Sequence, residues 1–434
     1  MAIYIGIDLG TSGCRAIAID ENQKVCAKVT TAVPLPLRKG NHIEQDPDVW
    51  WQATQRVLKD ISNQIDPHDV KAIAVDGTSS TLVLCDKNGR PLQPAIMYND
   101  ARATEQATRI KQYALKNTAA HGPASALAKL LWYQDRQVTQ RAAIALHQSD
   151  WVSGQLCGRF SVSDVNNCLK LGYDPVDNEW PQWLDKLKAP RQLLPRVVKP
   201  GAVMGTIKFE LTERFNFPIT TQIIAGTTDS TASVIATGVS QPGEAVTSLG
   251  STLVLKVLAD TPIFEPNYGV YSQPLDDKWL VGGASNTGGA VLTKFFDEEK
   301  ITAMTPELKP AINTNLDYYP LISTGERFPV NDPELKSRTM PRPEDDIVFF
   351  QALLEGIAAI EQQGYERLAE LGAPYPSKIY TTGGGAVNEA WTAIRSLMIS
   401  VPIEISKRTE AAYGSALLAR QGSVNIEANL KSFL

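Results

Sequence analysis

Residues 3–20, IYIGIDLGTSGCRAIAID, predict the element around which the chain is organised. Isoleucine recurs at every second position at its start, and a second apolar run follows a break of small residues. This pattern is typical of two β-strands joined by a tight turn. Asp8 ends the first strand, and Gly10, Thr11 and Ser12 form the turn. Because glycines let a ligand approach the backbone and hydroxyls donate to phosphate oxygens, the stretch indicates either a phosphate-binding turn or an ordinary hairpin.

Asp8 restricts the phosphate ligands that this turn accepts. A carboxylate beside the turn repels a bare polyphosphate, because both groups are negatively charged. A divalent cation between them removes this repulsion, and Mg²⁺ prefers carboxylate and phosphate oxygens as ligands. If the turn binds phosphate, we therefore expect Asp8 to act together with Mg²⁺.

Length, charge and cysteine usage exclude several classes of protein. The chain has 434 residues, which is too long for one hydrophobic core and predicts two or three domains. Its net charge of −5 provides no basic field for nucleic acid. No apolar run approaches the roughly 18 residues of a membrane span. The five cysteines are scattered, and no basic segment followed by an apolar run opens the sequence. We therefore expect a cytoplasmic protein with reduced thiols, without a signal peptide and without nucleic-acid or membrane partners.

The opening turn recurs later in the chain. Residues 9–12, LGTS, return as residues 249–252, LGST, again between two apolar runs. Two strand–turn–strand units of one design indicate two related halves. A linker-like segment lies at residues 239–243, VSQPG, and we expect domains at residues 1–242 and 243–434.

The second turn consists of Gly250, Ser251 and Thr252. Taken alone, these residues favour a plain hairpin. The matching turn in the first half favours phosphate binding instead, because two such turns could hold one polyphosphate between the domains.

A third glycine-rich turn contains Gly384 and Gly385, between a predicted strand and a predicted helix. Its backbone allows a flat or anionic group to approach closely. Asn388 and Trp391 follow near the start of the helix, where the indole could stack on a purine and the amide could bond its edge or the ribose. A tight turn beside a core tryptophan explains the same residues, and the pattern leaves both interpretations open.

Asp229 follows Gly226-Thr227-Thr228 and precedes a helix of small residues. An aspartate in this position commonly caps the helix. It could also serve as a general base that takes the proton from a hydroxyl attacking phosphorus. The residue types alone do not separate these two roles.

Polar side chains suited to a sugar occur in two segments of the first half. Ser79 follows the strand that begins near Val70, and Asn99 and Asp100 lie in the segment MYNDARA at 97–103. Such side chains also fill ordinary loops, so these positions are candidates for substrate binding and not proof of it.

Together these motifs resemble the FGGY family of carbohydrate kinases, within the sugar kinase/actin/Hsp70 superfamily. The resemblance extends over residues 3–419 in the family's order. The matching segments are GIDLGTSGCRA (6–16), EQDPDVWW (44–51), MYNDARA (97–103), AGTTDSTA (225–232), SLGST (248–252), GERFPVNDP (325–333), ALLEGIA (352–358), TGGGAVNEAW (382–391) and EAAYGSALLA (410–419).

The resemblance implies an α/β fold of two ribonuclease-H-like domains, as in actin-like ATPases, with a cleft between them. It implies ATP and Mg²⁺ as cofactors, a small sugar as partner, and a monomer or homodimer. Asp229 would be the general base and would also bind the substrate, as would Ser79, Asn99 and Asp100. Asp8 would contact both metal and substrate. The positions implied for ATP are Gly10, Thr11, Ser12, Gly250, Ser251, Thr252, Gly288, Gly384, Gly385, Asn388 and Trp391.

The resemblance further implies a ketopentose as phosphate acceptor. Residues 76–81, DGTSST, contain no histidine and are more similar to the family's ribulose kinases than to its xylulokinases or glycerol kinases. The chain length is like that of the short D-ribulose kinase or putative xylulose kinase group, which would place a plant member in the plastid stroma. We expect transfer of the γ-phosphate to the terminal hydroxyl of D-ribulose, giving D-ribulose 5-phosphate, with D-xylulose as the alternative.

Two other classes of function remain as alternatives. An actin-like ATPase or sugar sensor would bind ATP without transfer, and the presence of Asp229 and of the sugar-family motifs disfavours it. A kinase for a polyol such as glycerol is disfavoured because the expected histidine is missing after the second strand motif.

Overall fold

The computed structural model describes residues 1–432, with side chains described up to Val424. The chain divides into two compact units. Unit 1 comprises Met1–Ala236 together with the segment that begins at Glu410, and unit 2 comprises Thr237–Thr409. The sequence places the division at 242/243 and assigns the whole C-terminal part to the second domain. The last segment instead packs with unit 1, so the compact units differ from the predicted domain bounds.

Unit 1 contains the following strands and helices. The strands are β1 (Ile3–Leu9), β2 (Gly13–Asp20), β3 (Val25–Ala32), β4 (Leu37–Lys39), β5 (His42–Gln45), β6 (Val70–Gly77), β7 (Leu82–Cys85), β8 (Ala95–Ile96), β9 (Ile144–His147), β10 (Val162–Asp164), β11 (Arg196–Val198), β12 (Val203–Thr206) and β13 (Gln222–Ile224). The helices are α1 (Pro47–Ser62), α2 (Thr104–Tyr113), α3 (Ala126–Asp135), α4 (Gln148–Cys157), α5 (Val165–Cys168), α6 (Trp183–Lys186), α7 (Phe209–Phe215) and α8 (Asp229–Ala236).

Unit 2 is smaller, and the chain leaves it to form one last helix of unit 1. Its strands are β14 (Glu244–Leu249), β15 (Leu253–Ala259), β16 (Tyr271–Leu275), β17 (Lys278–Ala284), β18 (Lys378–Thr382) and β19 (Ile403–Ile405). Its helices are α9 (Gly289–Phe295), α10 (Glu298–Met304), α11 (Asp346–Glu370) and α12 (Glu389–Ile399). The chain then re-enters unit 1 as α13 (Ala411–Ser432).

Each unit is built on the same kind of sheet. The strand order is β12-β13-β6-β1-β2-β3 in unit 1 and β16-β17-β15-β14-β18-β19 in unit 2. In unit 1, β1 is antiparallel to β2 and parallel to β6, which is parallel to β13. In unit 2, β14 is antiparallel to β15 and parallel to β18, which is parallel to β19. Both sheets therefore have the ribonuclease-H-like arrangement, and the two related halves predicted from the recurring turn are confirmed.

The two glycine-hydroxyl turns occupy equivalent positions in these sheets. Leu9 pairs with Cys14 at the end of the β1–β2 hairpin, and Leu249 pairs with Leu253 at the end of the β14–β15 hairpin. The strand–turn–strand prediction for residues 3–20 is thus confirmed, and the second turn is one residue shorter than the first.

Helix α13 packs closely on unit 1 because its contact points are small. A Cβ added at Gly6 on β1 would lie 2.0 Å from the Ala412 carbonyl oxygen. A Cβ added at Gly414 would lie 1.9 Å from the carbonyl oxygen of Ala232 on α8. Both distances are shorter than van der Waals contact, so only glycine fits at these two crossings.

The described residues include no helix that is both long enough and apolar enough to cross a membrane.

Candidate active site

Three carboxylates meet at the carboxyl ends of neighbouring parallel strands in unit 1. Asp8 near the end of β1 pairs in register with Asp76 near the end of β6. Gly77, the last residue of β6, forms a parallel bridge with Thr228, and Asp229 follows directly. The carboxyl edge of such a sheet is where open α/β folds bind ligands. Asp8 and Asp229, which the sequence treats as separate motifs, therefore belong to one edge.

Asp8 is almost buried and forms an ion pair with its neighbour on β2. Its Oδ2 accepts a hydrogen bond from Arg15 Nη1 at 2.9 Å, and the two residues pair directly across the hairpin. The Arg15 side chain is 44 % exposed. The guanidinium partly neutralises Asp8, which lowers the repulsion between this carboxylate and a phosphate group.

Asp76 is a member of the cluster that sequence analysis did not name as a site residue. It is fully buried, its Oδ2 accepts from Ser415 Oγ at 2.6 Å, and its Oδ1 has no hydrogen-bond partner among the described residues. Burial, followed by the charges of Asp8 and then Asp229, raises the pKa of Asp76 well above its usual value, against the opposing hydrogen bond from Ser415. Burial and the neighbouring negative charges therefore both disfavour the charged form of this carboxyl group. The signal was present in the sequence, since Asp76 ends an apolar strand before Gly-Thr-Ser as Asp8 ends one before Leu-Gly-Thr-Ser.

Asp229 is partly exposed and is the first residue of α8. The Thr228 carbonyl accepts from Thr231 N at 3.0 Å and from Ala232 N at 2.9 Å, so Thr228 takes the N-cap position. The Asp229 carboxylate accepts from the adjacent Ser230 N at 2.6 Å. Thr228 and not Asp229 therefore occupies the N-cap position, while the Asp229 carboxylate bonds one N–H group of the first turn.

The carboxyl edge fits a magnesium ion that is held mainly by its substrate. Among the residues described, no group of three or more His, Cys, Asp or Glu side chains is arranged to hold a metal ion. Mg²⁺ in phosphate chemistry typically takes one or two protein carboxylates and fills its other positions with water and phosphate oxygens. Asp8 supplies a carboxylate of this kind near the end of β1.

The sugar candidates lie on two segments of unit 1 that follow β6 and β8. Ser79 is partly exposed and Asn99 is exposed, whereas Asp100 is fully buried. The Asp100 carboxylate accepts from Ile43 N at 2.5 Å and from Arg102 N, Nε and Nη2. This geometry favours an indirect role for Asp100, which holds Arg102 in place, over the direct sugar contact expected from the sequence.

The phosphate turn of unit 2 is fastened to the start of α9. The hydroxyl residues Ser251 and Thr252 are exposed. Gly289 N donates to the Gly250 carbonyl at 2.9 Å, and a Cβ added at Gly288 would lie 2.7 Å from the Ser251 carbonyl oxygen. Gly288 has φ +146°, in the region that favours glycine. The predicted ATP residues 250–252 and 288 are therefore brought together in one turn.

A pocket of about 770 Å³ opens beside this turn, entirely within unit 2. Its volume is within the roughly 300–1,000 Å³ range of small-molecule sites. The lining combines the two glycine turns, the starts of α9 and α12, and one face of α10 with the residues after it. The lining residues are Leu249, Gly250, Ser251, Gly289, Ala290, Leu292, Thr293, Glu298, Ile301, Thr302, Thr305, Pro306, Gly384, Gly385, Val387, Asn388 and Trp391.

Trp391 lies beneath the glycine turn. The indole is 1 % exposed, and its Nε1 donates to the Leu354 carbonyl at 3.1 Å. A Cβ added at Gly385 would lie 2.6 Å from Trp391 Cζ3, so the ring packs directly against the turn. Of the two interpretations left open by the sequence, this geometry favours a core tryptophan that supports Gly385 at the pocket wall over an open stacking platform.

Asn388 has structural bonds as well as a place in the pocket. Its Oδ1 accepts from Trp391 N at 2.9 Å and caps α12, and its Nδ2 donates to Thr305 Oγ1 at 3.3 Å. Thr305, Glu298 and Thr302 were not predicted, because no motif in the sequence marks α10 as part of a binding site.

A buried ion pair is hydrogen-bonded to the strands that precede both glycine turns of the pocket. Arg395 on α12 donates to Glu361 on α11 through Nε at 2.5 Å and Nη2 at 2.7 Å, and both side chains are fully buried. Glu361 also accepts from Thr247 Oγ1 on β14, and Arg395 Nη1 donates to Thr381 Oγ1 on β18. The strands that lead into the two glycine turns are thus tied to one charged pair.

Two family descriptions cover the chain. "FGGY family of carbohydrate kinases, N-terminal domain" matches residues 3–236, and "FGGY family of carbohydrate kinases, C-terminal domain" matches residues 245–421. The chain belongs to the FGGY family of carbohydrate kinases. The resemblance inferred from the sequence is confirmed, and so is the expectation of an ATP-dependent sugar kinase. The alternative of an ATPase outside the sugar kinases is not supported.

Individual FGGY relatives are similar along nearly their whole length. The xylulose kinase of Escherichia coli (strain K12) is 27 % identical over 413 residues, which cover 90 % of this chain and 83 % of that protein. The gluconokinase of Bacillus subtilis (strain 168) is 22 % identical over 98 % of this chain and 88 % of that protein. The structure of a "xyloylose kinase" from Brucella ovis has a TM-score of 0.88 and 23 % identity, and covers 98 % of this chain and 91 % of that one. At that identity the structural likeness establishes the two-domain α/β fold.

Proposed function

We propose that the protein transfers the γ-phosphate of ATP to the terminal hydroxyl of a ketopentose, with Asp229 as the general base. The observation that carries the proposal is the placement of Asp229 on the carboxyl edge of the unit 1 sheet, near the buried carboxyl group of Asp76, where Thr228 and not Asp229 takes the N-cap position of the helix. Ser79 and Asn99 would bind sugar hydroxyls in the same unit.

The reaction needs positioning and charge neutralisation more than covalent help. Asp229 takes the proton of the terminal hydroxyl as the hydroxyl oxygen bonds to the γ-phosphorus, and the bond from that phosphorus to the bridging oxygen of ADP breaks. Gly10, Thr11 and Ser12 in unit 1 and Gly250, Ser251 and Thr252 in unit 2 would donate to phosphate oxygens. Mg²⁺ near Asp8 would neutralise the negative charge of the phosphates.

The nucleotide would be held by unit 2. The cavity of about 770 Å³ is large enough for a nucleoside and is closed on one side by Gly384 and Gly385. A purine would contact the backbone of this turn, with Trp391 behind it, and Asn388 and Gly288 would fix the neighbouring walls.

D-Ribulose is our first candidate for the acceptor. The residues that support it are 76–81, DGTSST, in which no histidine follows the strand. D-Xylulose is the second candidate, because relatives such as the Escherichia coli protein are named xylulose kinases. The two sugars are epimers at one carbon, so both satisfy the same reaction.

The test is ADP release from Mg·ATP in the presence of D-ribulose, D-xylulose, D-gluconate, glycerol or no sugar. We expect stimulation by a ketopentose and greater kcat/KM for D-ribulose than for D-xylulose. Stimulation by gluconate or glycerol alone would refute the ketopentose assignment, and a higher kcat/KM for D-xylulose would transfer it to the second candidate.

Asp229→Asn is the variant that tests the general base. Removing the proton acceptor should lower sugar-dependent turnover by roughly 10²–10⁴-fold, while ATP binding remains unchanged. Asp60→Asn, an exposed carboxylate on α1, is the matched control and should behave as the wild type. Sugar phosphorylation by Asp229→Asn at the wild-type rate would remove Asp229 from this role.

A further inference from the structure

Lys129 on α3 is a fully buried lysine that has no carboxylate in hydrogen-bond contact among the described residues. Its Nζ donates to three backbone carbonyls, those of Ser80 at 2.9 Å, Met97 at 2.8 Å and Tyr98 at 3.3 Å. An ammonium group has three donors, so these three carbonyls use its full capacity.

The three carbonyls belong to the two segments that carry the sugar candidates. Ser80 lies in the segment after β6, next to Ser79, and Met97 and Tyr98 precede Asn99 after β8. The segments are also joined directly, since Tyr98 N donates to Thr81 Oγ1 at 3.0 Å. The hydrogen bonds of Lys129 therefore form a second connection between these two loops of unit 1.

The conformation of the segment after β6 has to be stabilised by contacts with its surroundings. Ser80 has φ +69°, a left-handed conformation that a residue with a side chain adopts at a cost. Its Oγ is buried without a hydrogen-bond partner in the described structure. A loop in this state holds its shape only if its surroundings fix it, and the bond from Lys129 to the Ser80 carbonyl is one of the contacts that do so.

Burial of an ammonium group costs free energy, which its hydrogen bonds to the three carbonyls offset only in part. Burial lowers the pKa of Lys129 to about 7, and the nearby charge of Asp100 opposes the shift. An apolar side chain of similar length would fill the same space without this cost, but it would remove a donor from all three carbonyls, of which only that of Met97 has a second donor among the described residues, Asp100 N at 3.0 Å.

We propose that Lys129 is a positioning residue for the sugar, which fixes the segment 78–81 relative to the segment 97–100 and thereby sets the preference between epimeric ketopentoses. This inference rests on the proposed function, because it takes Ser79 and Asn99 as sugar contacts. D-Ribulose and D-xylulose differ in the direction of one hydroxyl, so selection between them requires that hydrogen-bonding groups on the two segments keep a fixed separation.

The experiment compares Lys129→Met with the wild type in steady-state kinetics. We expect KM for the preferred ketopentose to rise by 10- to 100-fold, as two loops lose this connection, and the ratio of kcat/KM between the epimers to move at least fivefold towards one. KM for ATP should stay within twofold of the wild type, because the nucleotide pocket lies in unit 2.

Lys256→Met is the matched control. Lys256 is also a buried lysine, but it lies on β15 in unit 2 and donates to Gln273 Oε1 at 2.9 Å. Its replacement should lower the melting temperature without changing the sugar KM or the epimer ratio. A rise of the sugar and ATP KM values together in Lys129→Met would indicate general damage and would overturn the proposal.

Hydrogen exchange provides a measurement that does not depend on turnover. In Lys129→Met, amide exchange should accelerate at least tenfold in peptides that contain residues 78–81 and 97–100 and remain unchanged in unit 2. Unchanged exchange in these peptides would overturn the proposal even if no sugar proved active. A wild type that responds to no ketopentose would refute the proposed function alone.

Lys129→Arg covers the case in which the methionine variant does not fold. Arginine keeps a cation, but its planar fork cannot reproduce three bonds from one nitrogen. We again expect the sugar KM to rise while the ATP KM stays unchanged, but by a smaller factor, about three- to tenfold. Wild-type sugar KM and epimer ratio in a folded Lys129→Arg protein would contradict the proposal.

Discussion

Two adjacent glycines of unit 2 have opposite surroundings. A Cβ added at Gly384 would meet no atom within 4 Å, whereas a Cβ added at Gly385 would lie 2.6 Å from Trp391 and 2.9 Å from Leu249 Cβ. A methyl group at 384 therefore affects only what enters the pocket, and a methyl group at 385 affects the protein itself.

Gly384→Ala should weaken ATP binding without changing the stability of the protein. We expect KM for ATP to rise about tenfold, on the order of 1.4 kcal/mol, because the methyl group occupies space taken by the nucleotide. The melting temperature of the free protein should stay at the wild-type value, as measured by calorimetry. An unchanged ATP KM would show that no ligand approaches this glycine.

Gly385→Ala should instead lower stability. Insertion of a methyl group into a packed contact typically costs about 1–3 kcal/mol, and here the neighbours are the indole and a side chain of β14. We expect a lower melting temperature and weaker ATP binding together. Equal melting temperatures for the two alanine variants would contradict the close packing of Trp391.

Local sequence patterns predicted where some residues lie in the fold and could not predict this for others. Asp8 and Gly10 were identifiable because strand alternation and the turn lie within a few residues of each other. The buried indole of Trp391 bonds to Leu354, which is 37 residues away. The Asp100 carboxylate accepts a hydrogen bond from Ile43, which is 57 residues away. Contacts of this kind are set by packing between elements, and no local pattern encodes them.

At the scale of elements, the pair Arg395–Glu361 joins two helices and two strands beneath the nucleotide pocket. Arg395→Met should destabilise the protein by about 3–5 kcal/mol, because Glu361 would remain buried without its partner. ATP affinity should fall as well, since Thr247 and Thr381 lead into the two glycine turns. Thermal unfolding and ATP titration measure the two effects.

The control for this change is an ion pair at the surface of the same unit. Lys378 and Glu404 are 2.9 Å apart, and Glu404 is mostly exposed. Lys378→Met should change stability much less than Arg395→Met, because solvent weakens such pairs. A loss in Arg395→Met no larger than in this control would mean that the buried pair contributes little.

The packing of α13 on unit 1 is a second prediction for elements. Gly414→Ala would place a methyl group 1.9 Å from the Ala232 carbonyl oxygen, and we expect a cost of at least about 1–3 kcal/mol as the helix shifts. Val424→Ala on the exposed face of α13 should stay within about 0.5 kcal/mol of the wild type. Chemical unfolding of both variants would show whether the crossing is as tight as the distance indicates.

At the scale of the whole molecule, the sequence revealed two related halves but not how its last helix is used. The recurrence of LGTS as LGST gives the repeat directly. The boundary between the halves, however, was read from the order of motifs along the chain. The close packing of Gly6 against α13 and of Gly414 against α8 depends on the folded shape, which that order does not contain. This difference explains why the predicted domain bounds differ from the compact units beyond Glu410.

In a chain that stops at Thr409, we expect unit 1 to lose its folded structure and unit 2 to remain folded. Without α13, apolar residues of unit 1 such as Tyr4, Ile17 and Ile224 would face solvent. In limited proteolysis we expect rapid cleavage within residues 1–236 and slow cleavage within 237–409, compared with the full chain. Equal protection of both parts would show that α13 is dispensable.

The return of α13 to unit 1 also sets an order of events on the ribosome. Unit 2 can complete its core once residues 237–409 have emerged, but unit 1, although made first, must wait for residues beyond Glu410. At about 5–20 residues per second, translation of the intervening segment takes roughly 10–35 seconds. During that time the half made first leaves one face of its sheet uncovered, so the nascent chain presents apolar surface to chaperones while the half made second has already folded.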